Sequence, residues 1–219
     1  MTVSQRLRQA ADPIWKQCLA HPFVTGIGDG TLPAEKFRHF MLQDYLYLFD
    51  YARVFALGVV KSRDAALMRT FAQNVDAILD GEMNIHRAYM ARLGIPEEQV
   101  LAVRPALDNL SYTHYMLSVA ERGGPLEITS SILACSWSYA EIGRALAALP
   151  GAAEHPFYGE WIRGYASEDY HASNQSLICL MDRLAAEAPA EELAYLEEIF
   201  VHCSRYELAF WDMAWEMRT

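Results

Sequence analysis

Across 219 residues, apolar side chains recur three and four apart, and strand-like alternation bounded by turns is hard to find. A chain patterned this way buries one stripe of each helix against its neighbours. It is expected to be all-α, a helical bundle whose sites form between facing helices. The punctuation predicts roughly eight helices. The first spans 4–20, with a break near Asp12-Pro13, and residues 21–33, rich in Gly and Pro, read as a loop. Pro33 suits the first turn of a long helix running to about Val60. A third covers about 64–93 and stops at Gly94, before Ile95-Pro96. Others are expected at about 105–122, 125–149, 156–166, 168–187 and 190–217, with Ser167 capping the helix that opens on Glu168 and Asp169. Side chains are 53% apolar, and no repeat, linker or low-complexity stretch interrupts them, so residues 1–219 are expected to form a single domain.

Charge narrows the partners. Lys plus Arg number 18 against 28 Asp plus Glu, a net charge of −10 with no basic cluster. Nucleic-acid binding depends on cations that displace condensed counterions, so a surface of this sign argues against it and, more weakly, against anionic membranes. A small neutral or cationic ligand is the better match. Cys18, Cys135, Cys179 and Cys203 form no Cys-x-x-Cys pair and read as reduced thiols. Met1 to Trp15 carries arginines and no apolar core of a secretion signal, and no run approaches the roughly 20 apolar residues of a membrane span. A cytoplasmic protein is expected.

Three constellations stand out. In Ser131-Ile-Leu-Ala-Cys135-Ser-Trp-Ser-Tyr139, Cys135 and Tyr139 share a helix face, a thiol beside a phenol. That spacing fits a held nucleophile and equally a small buried hydrophobe. Glu207, Phe210 and Trp211 stand at i, i+3 and i+4. A carboxyl among aromatics is desolvated and holds its proton near neutrality, although a Glu at the edge of a core stripe has the same spacing. Asp44, Tyr47 and Tyr51 share a face, as an amidine-like edge would require of a carboxylate among phenols, and as ordinary core tyrosines also do. Tyr112 and Tyr165 are polar aromatics of the same kind. A competing set comprises Glu82 with His86, Glu141, and Glu168 with His171. A di-iron bundle carries Glu-x-x-His on two helices, and only Glu168-x-x-His171 has that spacing, so buried polar pairs and solvated charges are the favoured reading.

The stretches His21-Pro-Phe-Val-Thr-Gly-Ile-Gly-Asp-Gly-Thr-Leu-Pro33, Leu42-Gln43-Asp44-Tyr45, Cys135-Ser-Trp-Ser-Tyr139-Ala-Glu141-Ile-Gly, Trp161-Ile-Arg-Gly-Tyr165-Ala-Ser and Tyr206-Glu207-Leu-Ala-Phe210-Trp211-Asp-Met-Ala resemble, in the same order, the TenA or thiaminase II family. The resemblance implies a haem-oxygenase-like bundle, usually a homotetramer. It places the chain in the Cys-containing branch, which hydrolyses 4-amino-5-aminomethyl-2-methylpyrimidine to its hydroxymethyl counterpart in thiamin salvage and also cleaves thiamin. It implies Cys135 as nucleophile, Glu207 as acid/base, Asp44 on the amino and ring-nitrogen edge, and Tyr47, Tyr112, Tyr139, Tyr165 and Phe210 shaping the pocket, with no metal or cofactor. Haem does not follow from a fold, because function lives in the site. The rival readings are an oxidase or oxygenase of the same fold and a non-catalytic pyrimidine-binding or regulatory protein.

Overall fold

A computed structural model describes residues 1–219, the side chains of Glu97 and Leu101 apart. Among the described residues, eleven α-helices and one π-helical segment account for the regular structure, and no strand occurs. Helix α1 (Val3–Ala20) runs unbroken through Pro13. Pro13 lies on the exposed side, where a lost backbone hydrogen bond is met by water, while Leu7, Ala11, Trp15 and Cys18 hold both halves against the core. The expected loop over 21–33 is largely helix α2 (Pro22–Gly28), leaving only the last five residues as connection. Three local features outweigh its glycines. His21 caps the helix, with Nδ1 accepting from the Phe23 amide at 3.1 Å, Pro22 sits at the first position, and Phe23, Val24 and Ile27 are fully buried.

The long helix is α3 (Ala34–Lys61). The expected third helix is three pieces: α4 (Ala65–Asp76), a π-helical segment (Ala77–Glu82) and α5 (Met83–Arg92), closed by Gly94 at φ +65°. A short α6 (Glu97–Ala102) follows, which the sequence reading did not contain. Then come α7 (Leu107–Arg122), α8 (Pro125–Ala147), α9 (Gly159–Ala166), α10 (Glu168–Leu184) and α11 (Ala190–Glu216). Ser167 caps α10 as expected, accepting from the Tyr170 amide at 3.2 Å.

Helices α3, α8 and α11 form the centre. Helix α1 packs on α11, α4 and α7 on α3, and α9 and α10 on α8. Trp15, Phe23, Phe37, Phe40, Trp161 and Trp211 are almost wholly buried there, each contributing about 2–3 kcal/mol through burial. The α8–α9 contact is a backbone contact. A Cβ on Gly143 would lie 2.6 Å from the Tyr165 carbonyl carbon. Alanine improves helix propensity by about 1 kcal/mol, but a backbone obstacle cannot rotate aside, and overpacking costs about 1–3 kcal/mol. Gly143→Ala is therefore expected to lower the melting temperature by a few degrees and disturb Tyr165. An unchanged melting curve would show that α9 slides freely on α8.

Candidate active site

Helices α3, α8, α9 and α10 and the π-helical turn enclose a cavity of about 490 Å³. Helix α3 supplies Asp44, Tyr47 and Tyr51, and α8 supplies Cys135 and Tyr139. Trp161 and Tyr165 come from α9, and Tyr170 from α10. The fourth wall is the π-helical segment with the start of α5, which presents Ile78, Glu82 and His86. A π-turn carries one extra residue per turn and re-aims the side chains around it, which is why such turns gather at functional sites.

Cys135 is half-buried, and its accessible side faces the cavity. Burial and the nearby Glu207 charge push its thiol well above the usual range. A hydrogen bond with the Tyr47 hydroxyl, which also faces Met116 Sδ at 3.8 Å, pulls the other way. The phenol in contact with the thiol is therefore Tyr47, on α3, and not its helix neighbour Tyr139.

Glu207 is buried on α11, where Tyr112 Oη donates to its Oε1 at 2.7 Å and Cys135 hydrogen-bonds it as well. Burial raises its pKa to about 7, the two hydrogen bonds pull it down, and Asp44 and Glu82 push it up. Glu207, Tyr112 and Phe210 are not on the cavity surface; they stand against its wall beside Cys135 and Tyr47. Tyr112 packs on Tyr47 at 5.3 Å, and Phe210 meets Tyr47 edge-on at 5.8 Å. Thiol and carboxyl are neighbours at the α8 wall, each shifting the other's proton affinity, and do not face each other across open space.

Asp44 does not present two free oxygens. Its Oδ2 lies 2.7 Å from His86 Nε2, both residues being buried, while His86 Nδ1 donates to the Glu82 carbonyl oxygen at 3.0 Å. Burial works against a charged His86, but the hydrogen bond to Asp44 and the attraction of Asp44 and Glu82 outweigh it, so its pKa is raised. The Glu82 carboxyl accepts from Tyr165 Oη at 2.7 Å. Burial raises its pKa, His86 and the Tyr165 bond oppose the rise, and Asp44 adds to it.

The candidate metal residues divide between two places. Glu82 and His86 enter the cavity, whereas Glu141, Glu168 and His171 line a separate surface depression beside Trp137 and Arg144. Glu141 is engaged by Arg8 through two contacts of 2.8 Å. Among the described residues, no three His, Cys, Asp or Glu side chains are arranged to hold a metal ion. His86 was legible only as a metal candidate, through its spacing from Glu82, and Tyr170 carried no distinguishing signal. Among the described residues, no helix is long and apolar enough to cross a membrane.

Comparison with known proteins extends these observations. An aminopyrimidine aminohydrolase of Halalkalibacterium halodurans is 50% identical over 218 residues, covering 100% of this chain and 97% of the relative. The solved TenA homologue from P. horikoshii OT3 superposes with a TM-score of 0.91 at 30% identity, covering 99% of both chains. A Shewanella denitrificans domain with a heme oxygenase-like fold superposes at 0.77 with 15% identity, over 97% of this chain and 92% of the other. That last likeness shows the fold, which is all-α and haem-oxygenase-like as the sequence implied. The model of the TENA/THI-4/PQQC family matches residues 8–217, so the helices that carry the thiol, the buried carboxyl and the Asp44–His86 pair all lie within the match, and the chain belongs to that family.

Proposed function

We propose that this protein is an aminopyrimidine aminohydrolase of thiamin salvage, hydrolysing 4-amino-5-aminomethyl-2-methylpyrimidine to the hydroxymethyl compound with Cys135 as nucleophile and Glu207 as acid/base. The observation that carries this reading is the contact between a cavity-facing thiol and a buried carboxyl poised near neutrality. The full-length likeness to an aminopyrimidine aminohydrolase supports it.

The chemistry follows from the proton inventory. Cys135 rests as a thiol, so attack requires a base. Ionised Glu207, in hydrogen-bond contact, takes the Sγ proton as sulfur bonds to the ring carbon next to the substituted one. The C=N π pair moves onto the ring nitrogen, which takes up a proton from cavity water and gives it back when sulfur leaves. The returning pair expels the amine, the C–N bond breaks, and Glu207 delivers its proton to the departing ammonia. Water then adds to the exposed methylene and gives a proton to Glu207, loss of sulfur as the thiolate restores the aromatic ring, and Glu207 returns the proton to sulfur. Sum and substrate balance as aminopyrimidine plus water giving alcohol plus ammonia. Tyr47 stabilises the thiolate each time it appears. Asp44 receives the amino group, Tyr139 and Tyr165 line the pocket around one ring, and Phe210 backs it from behind Tyr47. The cavity falls within the roughly 300–1,000 Å³ usual for small-molecule sites.

The test is a substrate panel of the aminopyrimidine, its formyl derivative and thiamin, with ammonia and alcohol as readouts. The aminopyrimidine is expected to turn over equally well before and after chelation. Inertness towards all three, or loss of activity on chelation, would refute the reading.

A further inference from the structure

The buried Asp44–His86 hydrogen bond lies beside the reacting centre and takes no part in the steps above. We propose that His86 is the positioning residue of the recognition edge, binding Asp44 through one carboxylate oxygen so that the other is presented to the exocyclic amino group of a 4-aminopyrimidine. The proposal rests on the functional reading above, which supplies the ligand.

Geometry fixes the proton. The Glu82 carbonyl can only accept, so Nδ1 carries hydrogen, and a further proton lies between Nε2 and Asp44 Oδ2 at 2.7 Å. With the ring charged, both nitrogens donate, and Asp44 Oδ2 accepts from Nε2. Among the described residues, His86 makes the one side-chain hydrogen bond to Asp44, and it uses Oδ2, so Oδ1 remains free to accept on a residue that lines the cavity. An amino donor satisfies Oδ1; a 4-oxo group would set oxygen against oxygen. The arrangement therefore selects amino- over oxopyrimidines, because a buried acceptor left facing another acceptor costs binding. The π-helical segment supports the pair twice, through the Glu82 carbonyl on His86 and through the Glu82 carboxyl bound by Tyr165. The titratable groups around it are Glu82 on that segment, Tyr165 on α9, Cys135 and Tyr139 on α8, and Tyr170 on α10, with Glu207 on α11 sensing Asp44 through space.

The experiment combines kinetics, binding and NMR on the intact protein. His86→Leu should raise KM for the aminopyrimidine about ten- to hundredfold while changing kcat far less, and should narrow discrimination against the 4-oxo analogue. His86→Gln, which keeps a donor without a titratable ring, should recover most of the affinity. Calorimetric binding of the hydroxymethyl product should weaken as pH rises through the raised His86 value in the wild type and lose that dependence in His86→Gln. Ring-nitrogen NMR should find both His86 nitrogens protonated at neutral pH, and Asp44→Asn should make the ring neutral. Wild-type KM in His86→Leu, or a neutral His86 in an active enzyme, would overturn the proposal. Should His86→Leu fail to fold, His86→Gln and the NMR signal still decide. A wild type with no turnover of the aminopyrimidine counts instead against the hydrolase reading.

Discussion

Cys135→Ser is expected to lower turnover of the aminopyrimidine by about a thousandfold or more, with binding of the hydroxymethyl product nearly unchanged. A serine hydroxyl fills nearly the same space, so the cavity, Tyr47 and the Asp44 edge persist. What disappears is a sulfur that Glu207 can deprotonate and that can both add to a ring carbon and leave it. Burial already holds the Cys135 proton tightly, and an alcohol in the same place holds it far more tightly. Measuring kcat alongside product affinity separates chemistry from binding. Activity within tenfold of the wild type would remove Cys135 from the mechanism and leave Glu207 to activate water directly.

The second large effect is at Glu207, where activity and stability should move in opposite directions. Glu207→Gln removes both proton transfers and should reduce kcat/KM by about a hundred- to ten-thousandfold. In the wild type, kcat/KM should rise with pH through about 7, as the base ionises. Stability has the opposite dependence. The folded protein binds this proton more tightly than the unfolded chain does, with a pKa of about 7 against 4.5, so native stability falls as pH climbs across that window. At about 1.4 kcal/mol per unit, the full loss above neutrality is on the order of 3 kcal/mol. Glutamine carries no such charge and still accepts from Tyr112. The variant should therefore melt several degrees higher than the wild type at mildly alkaline pH and little differently near pH 4.5. Melting curves at the two pH values check this, and an unchanged difference between them would mean that Glu207 is solvated in the native state. A buried carboxyl kept for chemistry at the expense of stability is what a functional site shows.

Most of the helices were legible because helix formation is local. Spacing of three and four fixes which side chains share a face, and caps such as Ser167 fix where a helix begins. The misreadings have the same local cause in reverse. Gly26 and Gly28 read as loop because no tertiary partner was visible, yet a Cβ on Gly28 would lie 2.8 Å from Leu146 and Leu149, and that close packing is what holds α2 in place. Likewise Pro13 read as a break because the sequence does not say that it faces solvent.

The sequence by itself determined an all-α bundle, an acidic chain with a net charge of −10, and the faces that carry Cys135, Glu207 and Asp44. Only the tertiary structure decided which faces meet. Asp44 finds His86 across 42 residues, Tyr112 finds Glu207 across 95, and Glu207 lies beside Cys135 at the wall of the cavity without facing it across the opening. Backbone geometry relates residues a turn or two apart, whereas helix-to-helix pairing and the desolvation that sets each proton's affinity belong to the packed whole.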